Sequence, residues 1–267
     1  MLNFISFGSG SSGNCYFLYT GTDALMIDAG IGIRQLKKHF AKFGLSPAAV
    51  HNILVTHDHA DHIKSVGCFS TDYNVPVFTT QKVHKGINRN YSVRVKVPEE
   101  NVRVIEKDVE TEIGEFRITP FAVPHDSSDN VGYMIKHGSA VFCLMTDIGH
   151  IAENLPASIA AADYLVIEAN HDRQMLWQGP YPDYLKERIA GPVGHLSNEE
   201  CAGAITKYGS ERLKHVWLCH LSQDNNHPEL ARKTVEQAMQ NVGMTERGVV
   251  LDVLKRRTPQ GIWQLDD

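Results

Sequence analysis

The sequence predicts an α/β (α+β) fold in a single domain spanning residues 1–267, with strands inside and helices outside. Three observations carry this expectation. The first half alternates short apolar, β-branched or aromatic runs with turn residues, at strand length. The second half turns to helical patterning with recognisable caps. No Pro/Gly/Ser-rich linker, internal repeat or low-complexity tract separates the halves, and a chain of 267 residues that is 42% hydrophobic can bury a sizeable core.

The strand-like runs, in order, are "LNFISF", "CYFLYT", "ALMID", "NILVT", "VPVFTT", "FRITPFAV", "GYMIKH" and "AVFCLMTD". A helix is expected from Arg34 to Phe43, where Ile33, Leu36, Phe40 and Phe43 share a face and Gly44 suits the C-terminal cap. Further on, Ser197 and Glu200 form a capping box for the helix "NEECAGAITKYG". The helix "PELARKTVEQAMQN" leads into a last strand, "GVVLDVL". One stretch imitates a different fold. "GSGSSG", from Gly8 to Gly13, matches G-x-G-x-x-G, and Asp28 lies about twenty residues past its first glycine, as a dinucleotide-binding fold requires. That motif must open a helix, whereas "NCYFLYTGTDALMID" alternates and turns like a hairpin with "GTD" at its tip. The loop is read instead as a tight turn or as a source of N–H groups and hydroxyls for an anion.

A net charge of −5 and a pI near 6.3 exclude a broad basic surface for nucleic acid but not a local patch. Cys15, Cys68, Cys143, Cys201 and Cys219 are odd in number and lack C-x-x-C spacing, so they predict reduced, mostly buried thiols rather than a disulfide framework. The N-terminus lacks a basic region followed by a long apolar one, and no run approaches the roughly 20 apolar residues that span a bilayer. The cytoplasm is the expected compartment, with no membrane partner. Oligomeric state is not legible.

The chemistry concentrates in "THDHADH", residues 56 to 62, directly after the apolar run "NILV". Imidazole nitrogens and carboxylate oxygens together suit zinc, manganese or iron. His57 and His59, two apart, converge from an extended loop, while Asp61 and His62 project elsewhere as the next helix begins, so one loop can feed two metals. H-E-x-x-H differs, since its i and i+4 residues face one zinc from a helix. Further ligands are sought where apolar strands end: Asp28 after "ALMI", His125 after "FAVP", Asp147 after "VFCLMT" and His220 after "VWLC". Any one of these taken singly is as well explained as a turn residue. Together with the loop they predict a metal site. Cys219 beside His220 alternates to the opposite face and is expected to pack away from the metals.

Asp28, "HDHADH", His125, Asp147 and His220 resemble the five ordered motifs of the metallo-β-lactamase superfamily, over nearly the whole chain. The resemblance implies a four-layer αββα sandwich and two divalent metal ions (Zn, Mn or Fe). It implies His57, His59 and His125 on one metal, Asp61, His62 and His220 on the other, Asp147 bridging them, and Asp28 orienting the loop. The His at position 59, where redox di-iron members carry Glu, points away from redox chemistry. Glu168 in "YLVIEANHD" and His195 in "GPVGHLSNEE" suit a phosphodiesterase, because an alkoxide leaving group benefits from a proton donor and a Glu can hold and bias such a His. They also resemble the Glu and His motifs of that branch. The expected reaction is in-line attack by a hydroxide held between the metals, with Asp61 positioning it and His195, backed by Glu168, protonating the departing oxygen.

Only 72 residues separate Asp147 from His220, too few for an inserted β-CASP cap. "FGSGSSGN", "EANHD", "GHLSN" and "HLSQDNN" resemble the compact YycJ/WalJ-like branch, which implies a 5′-to-3′ DNA exonuclease with DNA as its macromolecular partner. The alternative is a small-molecule hydrolase acting on a cyclic phosphodiester, thioester or lactone at the same dinuclear site. From Val75 to Pro98 there are no acidic residues but five basic ones, among them Lys82, Lys85 and Arg89, with Tyr91 between. This is a candidate phosphate-tracking patch with a stacking ring, or a solvated helix and loop. "KRR", residues 255 to 257, either adds to it or ends a strand. Arg173, Trp177, Tyr181 and Arg188 either line a cleft or belong to an amphipathic helix pair.

Overall fold

The computed structural model describes residues 1–266. The chain divides into two compact units. Among the described residues the first comprises 1–120, 127–131 and 255–266, and the second 121–126 and 132–254.

In chain order the first unit holds β1 (Leu2–Gly8), β2 (Cys15–Tyr19), β3 (Ala24–Ile27), α1 (Ile33–Lys42), β4 (Asn52–Leu54), α2 (Ala60–Ile63), α3 (Val66–Tyr73), β5 (Val77–Thr79), α4 (Gln81–Arg89), β6 (Val102–Val104), β7 (Thr111–Ile113) and most of β8 (Phe116–Ala122). The second holds β9 (Val131–His137, from its second residue), β10 (Ala140–Met145), α5 (Leu155–Ala161), β11 (Tyr164–Glu168), α6 (Arg173–Gln178), α7 (Asp183–Ile189), α8 (Asn198–Tyr208), β12 (His215–Cys219), α9 (Pro228–Asn241) and β13 (Val250–Val253). β14 (Gln260–Leu265) returns to the first unit.

Two seven-stranded mixed sheets result, ordered β14-β1-β2-β3-β4-β5-β6 and β13-β12-β11-β10-β9-β8-β7. β1 is followed by the antiparallel β2–β3 hairpin, with Tyr16 opposite Ile27, and not by a helix. This removes the dinucleotide-binding reading of "GSGSSG" on structural grounds. α1 and its capping glycine fall where expected, and Gly44 takes the left-handed φ of +69°. The helix buries Leu36 and Phe40, and the Phe40 ring lies 4.5 Å from Phe7 and 5.1 Å from Phe17 between centroids. The capping box of Ser197 and Glu200 is formed at the start of α8. Three strands escaped the sequence reading, β6, β7 and β14. They are short or half exposed, and β14 is a strand because β1 pairs with it, Phe4 opposite Trp263 with stacked rings 5.4 Å apart.

The parallel parts of each sheet position the site. β10, β11 and β12 run parallel in adjacent register, Met145 beside Ile167 and Glu168 beside Cys219, so their C-terminal residues collect on one sheet edge. β3 and β4 do the same in the first unit, with Ile27 beside Leu54. Polar groups at such an edge gather where strands give way to loops, the usual address of ligand sites in open parallel sheets. Between Asp147 and His220 lie only α5, β11, α6, α7, α8 and β12, with no inserted cap among the described residues. No helix among them is long and apolar enough to cross a membrane.

Candidate functional site

In the first unit the loop after β4 carries His57 and His59, and α2, which follows at once, carries Asp61 and His62. The loop is stitched to the residue before β9 by an isolated bridge between His57 and Asn130. The His57 ring lies 4.7 Å from that of His59 and 4.1 Å from that of His62. Asp58, between the two, faces the other way, its Oδ1 accepting the Ser128 N–H at 3.1 Å.

Asp28 is fully buried and explains the orientation of two rings. Its Oδ2 accepts from His62 Nδ1–H at 2.7 Å and from the Thr56 hydroxyl at 2.9 Å, and its Oδ1 accepts the Thr56 N–H at 2.8 Å. Thr56 Oγ1, its own hydrogen spent on Asp28, accepts from His57 Nδ1–H at 3.0 Å. A single carboxylate thus holds both imidazoles in the Nδ1–H tautomer, His57 through a hydroxyl and His62 directly, leaving each Nε2 with a lone pair for a cation.

Asn14 was missed by sequence reasoning as a site residue. Its Oδ1 accepts the Gly10 N–H at 2.8 Å, which points the amide nitrogen at His62 Nε2 (2.9 Å) and Asp61 Oδ2 (3.3 Å). A cation on His62 Nε2 requires this amide to let go, and the Gly10 carbonyl at 3.2 Å and Asp61 are its remaining acceptors. The end of "FGSGSSGN" was the available signal. The same loop is strapped through the backbone to α2 and to the turn after β3: Asn14 N–H donates to Asp61 O at 2.8 Å, and Gly30 N–H to Asn14 O at 2.9 Å. A Cβ on Gly30 would sit 1.6 Å from the Asp61 carbonyl oxygen. Gly30→Ala is therefore expected to cost about 3 kcal/mol or more, at or beyond the upper end of ordinary overpacking. A urea midpoint within error of the parent would contradict this.

In the second unit His125, Asp147, Glu168, His195 and His220 come together at the β10–β11–β12 edge. His125 Nδ1–H donates to Gly194 O at 3.0 Å, and its Nε2 lies 3.5 Å from Asp126 Oδ1 and 3.6 Å from Asp147 Oδ1. Glu168 is fully buried and makes four contacts. Its Oε1 accepts from His195 Nδ1–H at 2.9 Å and His220 Nδ1–H at 2.8 Å. Its Oε2 accepts the backbone N–H of Ile148 at 2.7 Å and of Leu196 at 3.2 Å. Burial alone would raise the Glu168 pKa, but the His195 charge and the bonds from both imidazoles outweigh it and hold the group well below the usual carboxylate range. His195 shows the converse: burial lowers its pKa, and Glu168 more than reverses this, leaving it above the ordinary histidine value. Burial pushes the Cys219 thiol well up, with Glu168 adding to it, so no thiolate is on offer and the residue packs as a small apolar side chain. His171, also overlooked, is buried near Glu168 and kept neutral by that burial, its pKa brought down to about 4.

Asp28, Asp147 and His220 share one backbone feature, a left-handed φ of 60°, 55° and 52°. Non-glycine residues adopt it at a cost of order 1 kcal/mol, and each does so within two residues of a strand's end, where the chain turns off the sheet edge.

The donor sets fit divalent cations by their chemistry: imidazole Nε2 atoms in the first unit beside the Asp61 carboxylate, and two imidazoles with the Asp147 carboxylate in the second, oriented by buried carboxylates or carbonyls.

Lys82, Lys85, Arg89 and Tyr91 line one cleft of about 420 Å³ with Asp58, Gly86, Asn90 and Ser128. Arg256 and Arg257 lie elsewhere in the first unit, in a cleft of about 370 Å³ with Ser12, Gly13, Gln35 and His39. The residues after Glu168 form the helix pair α6 and α7. Arg173 is paired with Glu200 at 3.0 Å, Arg188 with Asp126 at 2.6 Å, and Tyr181 bonds Asp224 at 2.7 Å, so these side chains fasten the unit together. Trp177 stays half exposed.

Residues 24–220 match the family model described as the Beta-lactamase superfamily domain. The chain is 35% identical to Exodeoxyribonuclease YycJ of Bacillus anthracis over 245 residues, covering 91% of this chain and 90% of that protein. It is 33% identical over 244 residues to Exodeoxyribonuclease WalJ of Streptococcus pneumoniae serotype 2 (strain D39), covering 91% and 89%. Among solved structures, the metallo-β-lactamase fold protein YhfI from Bacillus subtilis superposes with a TM-score of 0.71 at 18% identity, covering 97% of this chain and 98% of that one. Zn(2+)-bound PqqB from Methylobacterium extorquens gives 0.72 at 16% identity, covering 98% and 100%. The fold is accordingly the αββα metallo-β-lactamase sandwich. By its motifs, its family match and these relatives, the chain belongs to the metallo-β-lactamase superfamily, in the branch of the YycJ and WalJ proteins.

Proposed function

We propose that this protein is a metal-dependent exodeoxyribonuclease that removes nucleotides from the 5′ end of DNA, and that residues 1–267 act as one metallo-β-lactamase-type domain. Family membership supports a metal-dependent hydrolase, and the names of the relatives supply the nuclease assignment. The observation that carries the phosphodiesterase reading is the Glu168–His195 pair, in which a buried carboxylate binds Nδ1–H and leaves the imidazole Nε2 turned away from it.

The proposed ligands are His57, His59 and His125 for one ion, Asp61, His62 and His220 for the other, with Asp147 shared. Two ions held by these residues, whether zinc, manganese or iron, would supply Lewis acidity to the phosphoryl oxygens and to the attacking water. The chain's own residues do the rest. Asp28 and Glu168 hold the ring tautomers, Asp61 orients the water, and His195 gives its Nε2 proton to the departing alkoxide. Glu168 favours the protonated imidazole needed for that transfer. Loss of Glu168 would remove this bias and release His220 together with His195.

The test is single-turnover digestion of 5′-labelled and 3′-labelled DNA by metal-stripped protein to which Mn²⁺ or Zn²⁺ is restored. Release of labelled mononucleotide from the 5′ end is the expected result. Intact DNA accompanied by brisk turnover of a thioester or of bis-p-nitrophenyl phosphate would move the substrate to a small molecule.

A further inference from the structure

His195 is carried by a stretch with little apolar anchorage. Gly191 and Gly194 lack side chains, and Pro192 and Val193 are exposed, so no buried apolar side chain fixes the chain between the end of α7 and Leu196. Its backbone is what holds it. Three successive carbonyls are each taken by a different donor from another segment of the second unit. Pro192 O accepts from His150 Nδ1–H at 2.7 Å, Val193 O from the Asp126 N–H at 3.1 Å, and Gly194 O from His125 Nδ1–H at 3.0 Å. On its other side the stretch is folded back against α7: His195 N–H donates to Ile189 O at 2.8 Å and Gly194 N–H to Gly191 O at 2.9 Å. Arg188, near the end of that helix, reaches Asp126 at 2.6 Å.

Two glycines permit the close approach. A Cβ on Gly149 would stand 2.2 Å from Pro192 O, and one on Gly194 would stand 2.2 Å from the carbonyl oxygens of Arg188 and Ile189. The Gly194 peptide is therefore a joint. Its carbonyl fixes the tautomer of His125, a proposed ligand, and the next residue is His195, the proposed acid, whose own Nδ1–H is held by Glu168 at 2.9 Å.

Of the three anchors, His150 has no role assigned so far. It lies in the turn between β10 and α5, three residues past Asp147, and it is exposed. A carbonyl only accepts, so its Nδ1 must carry the hydrogen. That hydrogen bond is the one its ring makes among the described residues, and at 2.7 Å it is at the short end for an N–H donor. An exposed hydrogen bond adds little to stability, because water can replace it. Its consequence is the placement of the loop.

We propose that His150 is a positioning residue for His195: by holding Pro192 O it clamps residues 191–195 and sets the direction in which His195 presents Nε2 to the leaving group. The proposal rests on the reading of His195 as the general acid and adds the residue that aims it.

The test compares the metallated full-length parent, His150→Ala, His150→Asn, His195→Ala and the double variant His150→Ala/His195→Ala on 5′-labelled DNA and on bis-p-nitrophenyl phosphate. A misaimed catalytic group loses rate without losing binding, so His150→Ala is expected to lower kcat on DNA about tenfold with KM unchanged. On the activated diester, which needs little acid, its loss should stay below about twofold. His150→Asn keeps an N–H donor close to the place of Nδ1 and should recover most of the loss. In the His195→Ala background His150→Ala should cost nothing further, because the two changes act on one step. Elemental analysis should find the metal content of the parent in His150→Ala. Equal losses on both substrates, an additive loss in the double variant, no recovery in His150→Asn or a fall in metal content would each overturn the positioning role, the last by showing that the bond acts through His125. If the parent leaves DNA intact, or if His195→Ala loses equally on both substrates, the reading beneath has failed and the clamp falls with it. If His195→Ala shows its selective loss on DNA while His150→Ala matches the parent, only the clamp is refuted.

Discussion

His195→Ala is expected to lower kcat on DNA by about 10²- to 10⁴-fold, the usual contribution of a positioned general acid, while leaving metal content close to that of the parent. The reason lies in the bonding of Glu168. His195 and His220 donate to the same carboxylate oxygen, at 2.9 and 2.8 Å, yet they have different proposed fates. In the proposed mechanism His220 would turn its other nitrogen to a metal, and His195 its own to the leaving group. Removing His195 leaves Glu168 with His220 and the N–H groups of Ile148 and Leu196, so the buried carboxylate remains satisfied and the edge should hold its shape. An activated diester with a p-nitrophenolate leaving group needs little help from an acid and should lose much less. Two measurements decide the matter, the ratio of losses on the two substrates and elemental analysis of the variant. Equal losses would reject the acid role, and a fall in metal content would make His195 a ligand.

Asp147→Ala is expected to lose both metals and, with them, activity to background. Asp147 is almost fully buried, and its Oδ1 stands 3.6 Å from His125 Nε2 and 3.4 Å from His220 Nδ1. Its Oδ2 accepts from the Thr146 hydroxyl at 2.7 Å, which fixes the carboxylate with Oδ1 between the two rings. Its left-handed φ of 55° is a conformation the chain adopts at a cost, which fits a residue kept for its position on the edge. Alanine takes away the only carboxylate proposed to touch both ions, whereas loss of an orienting carboxylate such as Asp28 should weaken binding by only about 10- to 100-fold. Metal analysis after dialysis checks this, and an Asp147→Ala protein that retains two ions per chain would disprove the bridge.

Much of the site was legible because its members announce themselves locally. Histidines and aspartates at the ends of apolar runs are conspicuous, since such residues are costly to bury without a partner. Hence the "HDHADH" loop, Asp28, His125, Asp147, Glu168, His195 and His220 could all be picked out. Asn14, Thr56 and His171 could not. An asparagine after a glycine-rich turn, a threonine before a histidine and a histidine after an asparagine carry no pattern of their own. They matter through partners up to 48 positions away, as Asn14 does through His62. The same limit applied to the cations. Arg173, Arg188, Lys85 and Arg89 look alike in sequence, yet the first two are engaged by Glu200 and Asp126 while the last two stand open on a cleft.

From the order of amino acids alone come the fold class, the hairpin that rules out dinucleotide binding, the caps of α1 and α8, and the residue types at the metal edge. Each depends on periodicity, on a turn or on a short motif, which neighbouring residues specify among themselves. Only the tertiary structure decides which carboxylate holds which imidazole tautomer, which glycines allow backbone to meet backbone at Gly30 or a helix to meet a carboxylate at Gly86, and which cations are held in ion pairs. Those outcomes depend on contacts between segments remote in the chain, whose distances and directions no local pattern encodes.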